Sequence, residues 1–281
     1  MDDQFNSTIH LIRGADDVSQ LQTIRRIRLG YNDLGEEGAQ FIGEVLKKNT
    51  SIHTLKLNTN SITDMGAAYL AEILNENKTI TVLELNSNKI QDKGIENLAD
   101  IIIKNKTLKT LSLNNNPSVL GVALEKFVTV RHNKELKCLQ IWGKHIGLIG
   151  AKYISLGLQE NTTLTELDLT YCNIGEEGMK NIADALNYNK VLTSFDLRKN
   201  QIGNEGVNCF VNALKNNTNL KNLYLDENEI TDGKAVSAIL RFRDYNYDCL
   251  RLDFYGMEDN LIELLSSVLQ RNTVIIHQSL V

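Results

Sequence analysis

Histidines, cysteines and carboxylates are the side chains able to catalyse or to hold a metal, and their spacing decides whether this chain does either. The five histidines, His10, His53, His132, His145 and His277, are scattered over 281 residues. Only His145 falls near the predicted rim of the face described below, where a solvated surface imidazole is the simpler reading. Cys138, Cys172, Cys209 and Cys249 lie 34, 37 and 40 residues apart. They form no CxxC pair and no zinc spacing, and read as buried, reduced thiols of a cytoplasmic protein. No HExxH, GxxxxGK[ST] or GxSxG motif occurs. Asp168 and Asp196 are predicted one strand apart, about 5 Å at the backbone. That separation suits acid–base work or a cation, but adjacent carboxylates are also ordinary on an acidic repeat surface. Cys172 has no histidine in its sequence neighbourhood. These side chains point away from an enzyme and imply no metal and no cofactor.

Composition narrows the classes further. Thirty Lys+Arg against 35 Asp+Glu give a formal charge of −5, the wrong sign for a basic nucleic-acid binder. Arg25, Arg26 and Arg28 make a basic cluster that fades within two repeats. The acidic start, MDDQFNST, lacks the apolar run of a cleaved signal. No stretch approaches the roughly 18 apolar residues of a membrane span. A cytoplasmic protein with no nucleic-acid or membrane partner is expected. The chain has 32 asparagines and a single proline, Pro117. Six of those asparagines begin Asn-x-Ser/Thr triplets: Asn6, Asn49, Asn77, Asn105, Asn161 and Asn216. Four of the six fall on one column of an internal repeat, so they read as structural rather than as sugar sites.

That repeat is what must position everything else. Units of 28 residues begin at Ile24, Ile52, Ile80, Leu108, Leu136, Leu164, Leu192 and Leu220 and run through 24–247. Positions 1, 4 and 6 are apolar throughout, as in Ile52, Leu55 and Leu57. Position 9 is Asn in six units (Asn32, Asn60, Asn88, Asn116, Asn200, Asn228), with Lys144 and Cys172 as exceptions. Position 11 is Leu or Ile except at Ser118, and position 15 is Gly in six units. Position 26 is Asn in seven units, the exception being Tyr245. Apolar positions 4 and 6 share one face of a short strand. Positions 19 and 23, such as Ile182 and Leu186, make the inward stripe of a helix. Acidic pairs, Glu36-Glu37 and Glu176-Glu177, sit where that helix starts and its dipole is positive. The position-9 Asn is placed to bond backbone where the chain leaves the strand. The position-26 Asn fits a helix end in a left-handed conformation. Strand and helix in alternation predict an α/β solenoid, a curved horseshoe with a parallel sheet on its concave face and helices on its convex face. Residues 1–23 are expected to cap one end. Residues 248–281 are expected to cap the other, starting with a degenerate ninth strand at Leu250, Leu252 and Phe254. The fourth unit, with Pro117, Ser118 and no position-15 Gly, predicts an irregular loop.

The pattern LxxLxLxxNxI, seen from Ile52 to Ile62, resembles the leucine-rich repeat. Its length and the helix signature of Gly178, Ile182, Ala183 and Leu186 are similar to the ribonuclease-inhibitor-like subclass. The resemblance spans 224 of 281 residues. It implies a fold, while the subclass serves many tasks.

Positions 3, 5, 7 and 8 are left to face outward from the sheet. They carry basic residues in the first two repeats (Arg28, Lys56) and mainly acidic ones with aromatics in the last three. About five strands, roughly 25 Å, separate these centres, a span suited to a folded protein partner. The only tryptophan, Trp142, is predicted on this face near Tyr171. Trp, Tyr and Arg dominate interface hot spots. The candidate partner-binding set is therefore Trp142, Tyr171, Tyr224, Asp168, Asp196, Arg198 and Asp226. The expected function is non-enzymatic binding of another protein by a monomer through the concave face. By resemblance to ribonuclease inhibitor, the consequence is steric blockade of an enzyme. The Asn-rich, proline-poor composition also resembles leucine-rich-repeat effectors that bacterial pathogens deliver into the host cytosol, whose partner is a host protein or another effector. The alternative is GTPase activation, since activators of Ran resemble this subclass. Those carry a strongly acidic C-terminal run, and this chain ends RNTVIIHQSLV.

Overall fold

The strands of this fold are only three residues long, so what aligns them is the interval between them. The computed structural model describes residues 24–117, 133–143 and 146–232, with Ala235, Ile239 and the backbone of Cys249–Arg251. The expected N-terminal cap, Asn6, the expected irregular loop of the fourth repeat from residue 118, His132, His145, and the C-terminal cap beyond Arg251 lie outside the described residues. The chain divides into two compact units, Met1–Pro117 and Ser118–Val281, at the repeat that departs most from the pattern.

The first unit runs β1 (Arg26–Arg28), α1 (Gly35–Lys47), β2 (Thr54–Lys56), α2 (Asp64–Glu76), β3 (Val82–Glu84), α3 (Asp92–Ile102) and β4 (Thr110–Ser112). The second runs β5 (Cys138–Gln140), α4 (Gly147–Glu160), β6 (Glu166–Asp168), α5 (Gly175–Tyr188), β7 (Ser194–Asp196), α6 (Gly203–Leu214), β8 (Asn222–Tyr224) and β9 (Cys249–Arg251). Within each unit every strand pairs in parallel with the next. Leu55 lies opposite Leu83 and Leu83 opposite Leu111 in one unit, Leu139 opposite Leu167 and Leu167 opposite Phe195 in the other. The pairing advances by 28 residues per step until β9, where Asn222 meets Cys249, 27 residues on. The eighth repeat is thus one residue short, in the unit where Tyr245 breaks the Asn column.

The columns act as their chemistry dictates. The middle residue of the described strands β2 to β8 is buried and its neighbours are at least partly exposed, Ser112 excepted. Ile42 and Leu46, Leu98 and Ile102, and Ile182 and Leu186 are buried on the inward helix stripes. Within the units α1 packs on α2 and α2 on α3, and α4 packs on α5 and α5 on α6. The position-15 glycine permits that closeness. A methyl group at Gly178 would stand 2.8 Å from Ile174 Cγ2 and 3.0 Å from Ala151 Cβ on the neighbouring helix.

The asparagines join one repeat to the next. Asn60 accepts the Asn32 amide through Oδ1 at 2.9 Å and donates through Nδ2 to the Leu29 carbonyl at 2.6 Å. Asn200 does the same for the Cys172 amide (3.0 Å) and the Leu169 carbonyl (2.8 Å). At position 26, Asn77 Oδ1 accepts the amides of Thr79 and Ile80, while Nδ2 donates to the carbonyls of Leu46 and Asn49. This column corrects the left-handed expectation. Asn77 is extended, φ −68° and ψ 132°, and its value lies in four side-chain bonds to backbone groups. Asn49, Asn77, Asn105 and Asn161 are buried, which makes their triplets structural.

Candidate functional site

Left-handed backbone appears instead at position 8. Tyr31, Thr59, Ser87, Asn115, Tyr171, Lys199 and Glu227 all have φ between 54° and 65°. Gly143 takes the same column at φ 76°. Position 10 follows at Asp33, Ser61, Asn173, Gln201 and Glu229. Two such residues flank the buried position-9 side chains of Asn60, Cys172, Asn200 and Asn228, where they turn the chain out of the strand and push the position-8 side chain toward solvent. Tyr171 is accordingly 63% exposed.

In the second unit this geometry frames a groove of about 810 Å³ along the strand ends. It is lined by Trp142, Asp168, Thr170, Tyr171, Arg198, Lys199, Gln201, Glu227 and Glu229. Trp142 is half-buried on its wall. Asp168 and Asp196 are in register across β6 and β7, as expected. Asp196 grips Arg198 with both oxygens, 2.9 Å from Nε to Oδ1 and 2.5 Å from Nη2 to Oδ2. The Arg198 guanidinium also lies 5.8 Å from the centroid of the Tyr224 ring, within cation–π range. Asp196 and Tyr224 therefore act through Arg198. Its pKa is raised, chiefly by the Asp196 bond. Asp226 departs from its expected outward placement. It is 9% exposed, and its charge acts on Arg198.

Burial and neighbouring charges shift several groups of the second unit. Burial raises the Asp168 pKa and its like-charged neighbour Asp196 adds to the rise, while the Thr170 amide bond at 2.9 Å and Arg198 oppose it. Burial likewise pushes the Cys138 thiol up to about 12, with Glu166 adding to the effect. The Cys209 thiol is raised too, chiefly by burial. Both thiols stay protonated at neutral pH and are poor nucleophiles. Cys172 is buried, with Sγ 3.5 Å from the carbonyls of Ile141 and Thr170. Cys138, Cys172 and Cys209 are free cysteines. Among the described residues no group of three or more His, Cys, Asp or Glu side chains is arranged to hold a metal. No helix of the described residues is long and apolar enough to cross a membrane.

A leucine-rich-repeat family model matches residues 20–43, 160–183 and 188–211. A second, the TMOD/LMOD leucine-rich domain, matches residues 32–142. The chain is a leucine-rich-repeat protein. Two solved structures are similar to it. One is leiomodin-1 actin-binding site 2, with 23% identity, TM-score 0.42, 49% of this chain and 78% of that chain covered. The other is a tropomodulin C-terminal domain of Caenorhabditis elegans, with 14% identity, TM-score 0.40, 64% of this chain and 90% of that chain covered. No curated protein matches the chain.

Of the expected binding set in this leucine-rich-repeat protein, Trp142, Asp168, Tyr171 and Arg198 meet in one groove. Asp196 and Tyr224 both contact Arg198, and Asp226 is buried. Sequence spacing passed over Gln201 and Glu229, both groove-lining residues of position 10. A signal for them existed, since position 10 carries no large apolar side chain in the repeats that build the groove.

Proposed function

We propose that this leucine-rich-repeat protein is a non-enzymatic binding module that holds a folded partner protein against the exposed face of its sheet. The observation that carries the reading is the groove in which Trp142, Tyr171 and Arg198 converge. Those three residue types are the ones that dominate interface hot spots. Arg198 is pre-positioned by Asp196 and Tyr224, so little side-chain freedom is lost when a partner docks. Steric inhibition of an enzyme or effector is the consequence this reading favours. A cytoplasmic setting goes with it, supported by three free thiols.

The test is affinity capture from cell lysate with the wild type and with Trp142→Ala/Tyr171→Ala. Purified actin is included as a bait, because the leiomodin-1 structure is of an actin-binding site. Both side chains line the surface groove, so the double variant folds and loses its main partner. Equal capture by a folded double variant removes the proposed face.

A further inference from the structure

The groove's own charges specify what docks in it. Both of its cations already have a carboxylate: Arg198 is held by Asp196, and Lys199 Nζ lies 3.1 Å from Glu227 Oε2. Two lining carboxylates remain, Asp168 and Glu229, and among the described residues no ion pair joins either to a cation. Asp168 is bonded to the Thr170 amide, a neutral donor. It shares the groove with Trp142 and Tyr171. A carboxylate beside aromatic rings is the chemistry that recognises an ammonium or guanidinium group, through an ion pair and a cation–π contact together.

We infer that the groove seats a basic segment of the partner protein, with one Lys or Arg side chain between Asp168 and the Trp142–Tyr171 wall and a second at Glu229. Asp168 and Glu229 belong to the sixth and eighth repeats. Two repeats at about 4.8 Å each set their strands on the order of 10 Å apart, so the two basic groups are separated by at least about three residues of extended chain. An acidic or phosphorylated segment does not fit, because it would have to displace Asp196 from Arg198 and Glu227 from Lys199. The raised pKa of Asp168 agrees with this, since burial disfavours its charged form and an incoming cation would favour it. This inference rests on the binding-face reading and adds the partner's chemistry to it.

Trp142 is the only tryptophan in the chain, so its fluorescence reports directly on the groove. The probe is the capped peptide acetyl-Gly-Arg-Gly-Gly-Arg-Gly-amide, with glutamate replacing both arginines as the comparison. The basic peptide gives a saturable change in emission and the acidic one does not. Asp168→Asn and Glu229→Gln each weaken binding about ten-fold, the ordinary worth of a charge-assisted contact. Glu177→Gln, an exposed site on α5 that loses the same single charge outside the groove, leaves binding unchanged. A flat titration overturns the inference, as does preference for the acidic peptide. So does equal weakening by Glu177→Gln, which would mean attraction to net charge alone. The lysate experiment separates this inference from the reading beneath it. Capture lost in Trp142→Ala/Tyr171→Ala but retained in Asp168→Asn overturns the basic segment and leaves the face standing. Capture indifferent to all of these variants removes both.

Discussion

At the scale of single residues, backbone strain in the first unit and a buried charge in the groove of the second are both measurable. Thr59 holds a β-branched side chain at φ 57°, a region that such residues avoid. Replacing it with glycine removes that strain but adds freedom to the unfolded chain, and strain of this kind is worth about 1–3 kcal/mol. Thr59→Gly is therefore expected to stabilise the protein by about 1 kcal/mol in urea denaturation. Asp168 carries a different cost. Its folded pKa lies above the ordinary carboxylate value, so the folded state binds its proton more readily than the unfolded state does. Stability from this group consequently falls as pH rises from the ordinary carboxylate range through the raised folded value, and stays lower above it. Asp168→Asn should be more stable than wild type at neutral pH, and the two should converge in acid below the ordinary carboxylate range. Thermal melts across that pH range check the sign. The same substitution weakens the basic peptide, so its binding defect cannot come from unfolding.

At the scale of elements, the asparagine ladder joins each strand turn to its neighbour. Asn200 makes its Oδ1 bond to the Cys172 amide and Nδ2 bonds to the carbonyls of Leu169, Leu197 and Arg198. Asn200→Ala strands those buried groups, at about 1–3 kcal/mol for each group left without a partner. The expected loss of about 3 kcal/mol or more is read from the shift of the denaturation midpoint. Cys172 breaks the same ladder naturally. A thiol is a weak donor, and its 3.5 Å approaches to Ile141 and Thr170 carbonyls are poor substitutes for an amide. Cys172→Asn restores the consensus side chain and should stabilise the second unit by about 1 kcal/mol.

At the scale of the whole molecule, the 28-residue period made nearly all of the described fold legible, because each column has one physical job. Leu55 and Ile42 could be assigned to strand core and helix stripe from spacing alone. The left-handed turn at position 8 was hidden by its occupants: Tyr, Thr, Ser, Asn, Lys and Glu share no property that announces positive φ. The groove was half legible for the same reason. Trp142 and Tyr171 drew notice as aromatics, whereas Glu229 matters only because the turn aims position 10 along the strand ends. Asp226 was misplaced because the alternation that turns position 7 outward does not hold at that residue. The period also predicts what the chain tolerates. Excising residues 80–107 joins Thr79 to Leu108 in phase, so Leu55 acquires Leu111 as its strand neighbour and Asn116 takes the place of Asn88 beneath Asn60. Excising residues 80–93 instead removes a strand, leaves its helix short of the first two residues and puts every later column out of phase within the first unit. The in-phase deletion should retain a cooperative thermal transition and helical circular dichroism, whereas the half-repeat deletion should lose cooperative folding of that unit. Every groove-lining residue lies beyond residue 118, so the in-phase deletion should still bind the basic peptide with unchanged affinity. Binding lost in that deletion, with the fold intact, would move the recognition surface into the first unit.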